Sequence, residues 1–537
     1  MKFLKSLLTN RIFFILAIIC LLSFSLNLYK KTSVPACLNA DEAAFGYNAY
    51  SILKTGADEY GTKLPLRLKS FGDYKMPLYS YLSAPFIWLS GLNDISPRLL
   101  NSAVAFFFPV VIYFLTKELF QKKKIALLSS LLTATSIALH IVGRQAHEAY
   151  IAAFLVGITS LYFLRMLKRP DIINSSVFLI SLLISLFAYQ SNRIFLIFFM
   201  IYSAIYFFRK RIKPAIFAGL LIVIFLFGIT DFIYTPERVK NLFFLNNRGF
   251  HEKVLELRIE GGNKLLYNKF TVGVKEVLSK HIQYFSPQFL TLEGDTNRRF
   301  GFSGLSAITL IEYLLFIMGL YYLIKNGEKW KYYLLTMLVV SPLTASLTWV
   351  DPSLTRSLFT FVLILIIAAY GGVSLVKNSN KKYSLYLTCI LALIWIVAIF
   401  YSWDFYFNHY SKRAVMVRNW QCGYKELADL IKHDYKKFDK FYITPKNGQP
   451  YIFLLHYLAY PPEKYQKQAT LSPPDEYGFG QVEKFDKFIF KWPNSQNEKN
   501  AMYIGYPDDF QNSFNPKTMK KIKVGTEEIF WIYPVPR

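Results

Sequence analysis

Apolar windows recur along the chain near 12–28, 99–116, 125–142, 149–164, 176–190, 194–208, 215–232, 306–324, 332–348, 357–375 and 383–402. Each approaches the length a helix needs to cross about 30 Å of hydrocarbon. The pattern predicts a polytopic α-helical membrane protein with about eleven transmembrane helices, some short enough to be half-buried or merged. Beyond 402 the period changes. Tyr424–Tyr435 and Pro450–Leu458 have helical spacing, whereas Lys440–Thr444, 485–491, 501–505, 521–525 and 529–534 read as strands. Residues 403–537 are therefore expected to form a small α/β domain behind a transmembrane module at 1–402.

Two connections are too long to be simple turns. Loop 29–98 carries an expected surface helix at Ala43–Leu53, a turn at Lys54–Gly61 and a second helix from Pro77, with Tyr79, Tyr81, Phe86 and Trp88 suited to the headgroup level. Loop 233–305 holds Gly249, Gly261, Gly262, Gly294, Gly301 and Gly304 among charged and aromatic residues, and a loop of that length is usually a lid or a site.

A chain of 537 residues that is 53% hydrophobic and 18% aromatic is too apolar for a soluble enzyme. Its net charge of +27 does not indicate a nucleic-acid partner, because the basic residues lie in clusters on every second connection. These are Lys2, Lys5 and Arg11; Lys117 and Lys122–Lys124; Arg165, Lys168 and Arg169; Arg209–Arg211 and Lys213; Lys325, Lys329 and Lys331; and Lys377, Lys381 and Lys382. The positive-inside rule then sets the amino terminus in the cytoplasm of a plasma-membrane protein, with loops 29–98 and 233–305 and the tail outside. Lys2 and Lys5 resemble the start of a secretory signal, but no small-residue cleavage pattern precedes Lys30 and Lys31, so the first helix is expected to be retained. Cys20 and Cys389 lie in spans. Cys37 and Cys422 fall on the oxidising side, where a bridge competes with two unrelated thiols; two free thiols are the expectation.

The unusual polar residues gather on the outer connections. Asp41 and Glu42 follow the first helix closely, where a partly desolvated carboxylate can serve as a base, although an acidic pair also suits a helix amino terminus. Lys75 stands before a rigid Met-Pro-Leu-Tyr turn, with Asp73 two residues upstream; it can meet a lipid-borne phosphate or snorkel at the interface. Arg144 and Glu148, four apart, are expected to share a helix face. Arg193 and Arg356 interrupt apolar stretches at outer ends, as anion ligands or headgroup anchors, and Asp295 lies in a turn of the long loop. The seven histidines show no metal-ligand spacing. No phosphate-binding glycine loop and no Gly-x-Ser-x-Gly elbow is present.

In combination these motifs resemble a known family. Asp41-Glu42, Lys75-Met-Pro77-Leu-Tyr79-Ser-Tyr81-Leu82, Pro97-Arg98-Leu99-Leu100-Asn101-Ser102 and Arg144 to Glu148 are similar, in order, to the GT-C membrane glycosyltransferases of the protein O-mannosyltransferase and lipid A aminoarabinose transferase superfamily (family 39 type). Tyr189 to Arg193, Phe285 to Leu290 with Gly294-Asp295, and Trp420 to Glu426 look like a bacterial branch of it. The resemblance runs nearly end to end. It implies inverting transfer of a hexose or pentose from a polyprenyl-phosphate-linked donor to a hydroxyl of a protein or envelope glycan or lipid, outside the cell, without cofactor or metal. Catalysis would fall to Asp41, with Glu42 and Glu148; donor-phosphate binding to Lys75, Arg356, Arg193 and Arg144; and substrate-loop contacts to Asp73, Tyr79 and Asp295. The chain departs from the family at Met76, where a proline is usual, and lacks the histidine of an expected His-x-x-Arg pattern near Arg356. The competing readings are an oligosaccharyltransferase, which would need a metal and a Trp-Trp-Asp motif not found here, and a lipid-carrier transporter, which would carry charges near the midplane of its spans.

Overall fold

The apolar windows fold as helices. The computed structural model describes residues 11–71, 73–210, 219–226, 228, 243–302, 304–473, 480, 482–510 and 519–536. Among these, six helices have the length and composition to cross a membrane: Arg11–Leu28, Ser96–Phe120, Glu148–Lys168, Gln190–Arg209, Thr355–Asn378 and Ser384–Lys412. A seventh results if Lys123–Thr135 and Ile137–Gly143, bent by 49°, form one span. The windows near 176–190, 306–324 and 332–348 fold as the shorter helices Ile172–Ala188, Leu310–Lys325 and Lys331–Val340. The window at 215–232 is helical at 219–226 and otherwise falls largely outside the described residues, as do Lys2, Lys5, Arg211, Lys213 and positions 233–242 of the long loop.

The chain divides into two compact units. One comprises Met1–Tyr29, Asn101–Arg144 and Glu148–Tyr406; the other comprises Lys30–Leu100, Gln145–His147 and Phe407–Arg537.

The first unit is helical, and Leu358–Asn378 belongs to the most enclosed of its membrane-length helices, buried from Leu358 to Gly372. It lies against Leu310–Lys325 at backbone distance: a Cβ on Gly319 would come within 2.1 Å of the Ile367 carbonyl oxygen, and one on Gly371 within 2.1 Å of that of Leu315. Small residues permit such contact in lipid, where close packing replaces the hydrophobic drive. The bend at Ser136 exposes backbone carbonyls, which hydrocarbon does not tolerate unsatisfied. His140 Nε2 donates to the carbonyl of Ala134 (2.8 Å), Trp403 Nε1 donates to that of Thr135 (3.1 Å), and the Ser136 hydroxyl caps Leu139 N. The long loop adds helices Arg248–Ile259 and Lys269–Gln283, which pack through Phe244, Phe250, Val254 and Val272.

The second unit carries a seven-stranded sheet in the order β4-β5-β6-β3-β7-β9-β8, formed by β3 (Lys440–Ile443), β4 (Thr470–Leu471), β5 (Val482–Phe485), β6 (Phe488–Ile489), β7 (Ala501–Gly505), β8 (Lys520–Val524) and β9 (Glu527–Val535). β3 runs parallel to β6 and β7; the other pairs are antiparallel. Gly525, at φ +61°, supplies the left-handed position of the two-residue turn between β8 and β9. β1 (Leu68–Ser70) and β2 (Asp73–Lys75) form a separate hairpin. The predicted surface helix is Ala40–Thr55, and it is not on the surface: Ala43 to Ala49 are buried. Its alanine- and glycine-rich faces let neighbours close on both sides. His456 and Pro97 approach so near Gly46 that a Cβ there would sit 2.8 Å from each. Cys37 and Cys422 form a disulfide, which overturns the expectation of two free thiols. Folding brings their Cα atoms to 5.4 Å across a separation of 385 residues.

Candidate functional site

In the α/β unit, the helix Ala40–Thr55 begins with a reciprocal cap at Asn39. The Asn39 side chain accepts from Glu42 N (3.1 Å), and Glu42 Oε2 accepts from Asn39 N (3.2 Å). Asn39 therefore fills the capping position that an acidic pair suggested for Asp41. Arg98 donates to Glu42 from Nε (2.7 Å to Oε1) and Nη2 (2.8 Å to Oε2), and Ala146 N donates to Oε1 (2.8 Å). Arg98 also donates to the carbonyls of Lys31, Pro35 and Cys37. Both side chains are enclosed, and the lone pairs of the Glu42 carboxylate are committed to these donors.

Asp41 differs from its neighbour. Its side chain is 45% exposed, and Lys75 Nζ lies 2.7 Å from its Oδ1. Lys75 ends β2 and is itself 12% exposed, with its ammonium over the rings of Phe71 (4.4 Å) and Phe45 (5.1 Å). A snorkelling lysine would extend its head into water; this one is held inward by two aromatic faces and a carboxylate. Asp73 stands opposite Ser70 at the start of β2. Tyr79 is buried, its ring 4.9 Å from that of Phe45 and its hydroxyl donating to the Pro97 carbonyl (2.9 Å), so it shapes the wall behind Lys75.

Sequence reasoning missed Glu59, which it placed in the turn at Lys54–Gly61 without a role. Glu59 is enclosed and accepts from Tyr451 Oη (3.0 Å) and Asn48 Nδ2 (3.2 Å). Burial pushes its carboxyl up to about 8, against the opposing pull of Tyr451 and the Lys75 charge. Arg98 was quoted in a motif but given no task. Its place in a Pro-Arg pair after a loop was the available signal.

In the helical unit, the expected shared face of Arg144 and Glu148 is not found, because one helix stops at Gly143 and the next starts at Glu148. Arg144 is enclosed and donates to the carbonyls of Leu26 (2.5 Å), Asn27 (2.7 Å) and Tyr29 (2.6 Å), capping the end of Arg11–Leu28. Both of its terminal nitrogens thus donate to backbone carbonyls at that helix end. Glu148 is half-buried in the first turn of its own helix. Arg193, also half-buried, opens Arg193–Lys210.

Asp295 is buried as a loop pin. It accepts from Leu354 N (2.7 Å) and Asn297 N (2.8 Å), and burial raises its pKa while these donors and the Arg356 charge oppose the rise. Tyr284 Oη accepts from Ser353 N, and Lys280 Nζ donates to the Trp349 carbonyl, so the long loop is fastened to the segment carrying Arg356. Arg356 is half-buried and donates to Thr348 Oγ1 (2.9 Å). It lines a cavity of about 10 Å³ with Tyr189, Ser191 and Asn192, which unites two motifs that lie far apart in sequence. Among the described residues, no group of three or more His, Cys, Asp or Glu could hold a metal ion.

No protein-family model and no curated protein matches the sequence. Solved structures do. ArnT from Cupriavidus metallidurans bound to undecaprenyl phosphate is similar at 8% identity over 97% of both chains, with a TM-score of 0.53. Its apo state is similar at 9% identity over 96% of this chain and 97% of that one, with a TM-score of 0.52. The oligosaccharyltransferase of Archaeoglobus fulgidus tethered with an acceptor peptide shows 11% identity and a TM-score of 0.48; the match covers 84% of this chain and 63% of that one, so the chain spans less than two thirds of its length. The likeness is one of fold. The chain has the ArnT-like GT-C fold, with apolar helices and a carboxyl-terminal sheet domain, and it is a multi-pass membrane protein.

Proposed function

We propose that this protein is a glycosyltransferase that moves a sugar, with inversion, from a polyprenyl-phosphate-linked donor to a hydroxyl of a protein or envelope glycan or lipid, on the outer face of the plasma membrane. The observation that carries the reading is the Asp41–Lys75 pair: a half-exposed carboxylate 2.7 Å from an ammonium held inward by Phe45 and Phe71. The ArnT fold is further support, since one ArnT structure is bound to undecaprenyl phosphate.

The chemistry needs few groups. A hydroxyl is a poor nucleophile, whereas a phosphate is already a fair leaving group, so one base and one cation suffice once the partners are positioned. The donor phosphate competes with Asp41 for Lys75. When Lys75 turns to the phosphate, the Asp41 carboxylate is released to take the acceptor proton as the acceptor oxygen attacks the anomeric carbon. The bond from that carbon to the phosphate oxygen breaks, and Lys75 stabilises the charge that grows there. Glu42 and Arg98 hold the helix start that presents Asp41, Arg144 holds the end of the first helix, and Tyr79 backs Lys75. Asp295 fastens the long loop to the segment of Arg356. Arg356 and Arg193 keep a donor-phosphate assignment, Glu148 that of the second acid and Asp73 that of a substrate-loop residue. No metal or cofactor enters the reaction, the amino terminus is cytoplasmic, and the tail is external.

The test is a purified-protein assay with polyprenyl-phosphate sugars and hydroxyl acceptors, with and without chelator, beside a cytoplasmic reporter fused after Arg537. Turnover that survives chelation, with a silent reporter, is the expected result. Turnover that requires a divalent metal points instead to oligosaccharyl-type transfer, lipid translocation without transfer to a carrier, and an active reporter to the opposite orientation.

A further inference from the structure

One feature that the proposed chemistry leaves unused is a cavity of about 960 Å³ in the helical unit, with Lys122, Lys123, Lys124, Lys377 and Lys381 among its lining residues. Its interior is hydrocarbon: Leu131 and Leu132, Leu315, Val376, Leu391 and Trp395, contributed by four helices. Along Ser384–Asp404 the wall follows Ser384, Thr388, Leu391, Ala392 and Trp395, a single helical stripe. At 1.5 Å per residue the stripe is about 16 Å long, close to half of a hydrocarbon core of about 30 Å.

The charge at the mouth is not balanced by the protein. Glu118 and Glu328, the acids of the adjoining connections, are already paired, Glu118 with Lys168 (2.5 Å) and Arg165 (3.5 Å), Glu328 with Lys122 (2.8 Å). Among the described residues, Lys123, Lys124, Lys377 and Lys381 form no ion pair, and all four are exposed. An apolar slot one leaflet deep, rimmed by uncompensated ammonium groups, is complementary to a lipid with an anionic head and two leaflet-length tails.

We infer that this groove binds an anionic diacyl phospholipid from the leaflet that bathes the basic loops, its phosphate among Lys123, Lys124, Lys377 and Lys381 and its tails along Leu131, Leu391 and Trp395. Depth selects this occupant. A polyprenyl chain long enough to pass beyond the bilayer midplane would outrun the slot, and a zwitterionic headgroup would leave the lysine charge unmet.

The experiment uses the full chain, reconstituted in nanodiscs of phosphatidylcholine containing a minority of phosphatidylglycerol, then released and weighed by native mass spectrometry. Wild type should retain phosphatidylglycerol in preference to phosphatidylcholine. Replacing Lys123, Lys124, Lys377 and Lys381 by Gln should lower that retention by about tenfold or more. Ala392→Phe keeps every lysine and narrows the apolar slot, so it should lower retention as well; it decides the matter if the charge variant fails to fold. Equal retention of the two phospholipids, unchanged retention in Ala392→Phe, or displacement of phosphatidylglycerol by polyprenyl phosphate would each overturn the inference. Retention is read without reference to sugar transfer, so the outcome is independent of the proposed enzymatic activity.

Discussion

Glu42→Gln is expected to weaken the α/β unit severely while deleting neither of the reacting groups. The carboxylate accepts from both nitrogens of the Arg98 fork, from Ala146 N and from the Asn39 cap, all out of reach of water. Glutamine keeps one oxygen but turns an NH2 group toward donors, and it strips the buried guanidinium of its counter-ion. Breaking one side of a buried pair costs about 3–5 kcal/mol, against a whole-domain stability of about 5–15 kcal/mol. For a body of roughly 150 to 250 residues that loss lowers the melting temperature by roughly 6–20 °C. Thermal unfolding of the detergent-purified variant, followed by tryptophan fluorescence, measures it. The double variant Glu42→Gln/Arg98→Met should recover part of the loss, because it removes the orphaned charge as well. A Glu42→Gln protein that melts within about 2 °C of wild type would refute the assignment of Glu42 to structure.

Burial holds Glu59 protonated up to about pH 8 in the folded unit, whereas the unfolded chain releases the proton near its ordinary 4.5. Its contribution to stability is therefore complete below about 4.5 and lost as pH rises toward 8, so Glu59→Gln should flatten the fall in melting temperature between these values. A fall as steep in the variant as in wild type would remove Glu59 from the account. Adjacent glycines should behave oppositely: Gly371→Leu drives a side chain into the Leu315 backbone and should abolish the monodisperse peak in size-exclusion chromatography, while Gly372→Ala meets its nearest atom at an ordinary 3.6 Å and should elute as wild type.

Local physics made much of the fold readable. Windows of apolar residues near bilayer length became helices, and short runs with β-branched and aromatic residues marked Lys440–Ile443, Ala501–Gly505 and the Lys520–Val535 hairpin within a few residues. What tertiary contact decides was not readable. Spacing of four suggested a shared face for Arg144 and Glu148, but the helix stops at Gly143 and restarts at Glu148. Ala40–Thr55 looked like an interfacial helix because its own sequence does not say that both faces will be covered. Asp58 and Glu59, between two glycines, had the composition of a solvated turn, yet they are buried by elements that include residues some 390 positions away, among them Tyr451. The Cys37–Cys422 bridge likewise depends on a meeting across 385 residues that no local pattern encodes. Asp41 and Lys75 were individually ambiguous, and it is their pairing at 2.7 Å that supports a place for each in the proposed site.

The central claim, that Asp41 is the proton acceptor and Lys75 the phosphate ligand, is tested most directly by single-turnover kinetics of Asp41→Asn with saturating polyprenyl-phosphate sugar, alongside donor binding. Turnover should fall by roughly 100-fold to 10,000-fold while the donor still binds, whereas Lys75→Gln should weaken donor binding and cost about 30-fold to 1,000-fold in rate. An Asp41→Asn protein that turns over within about threefold of wild type would contradict the claim.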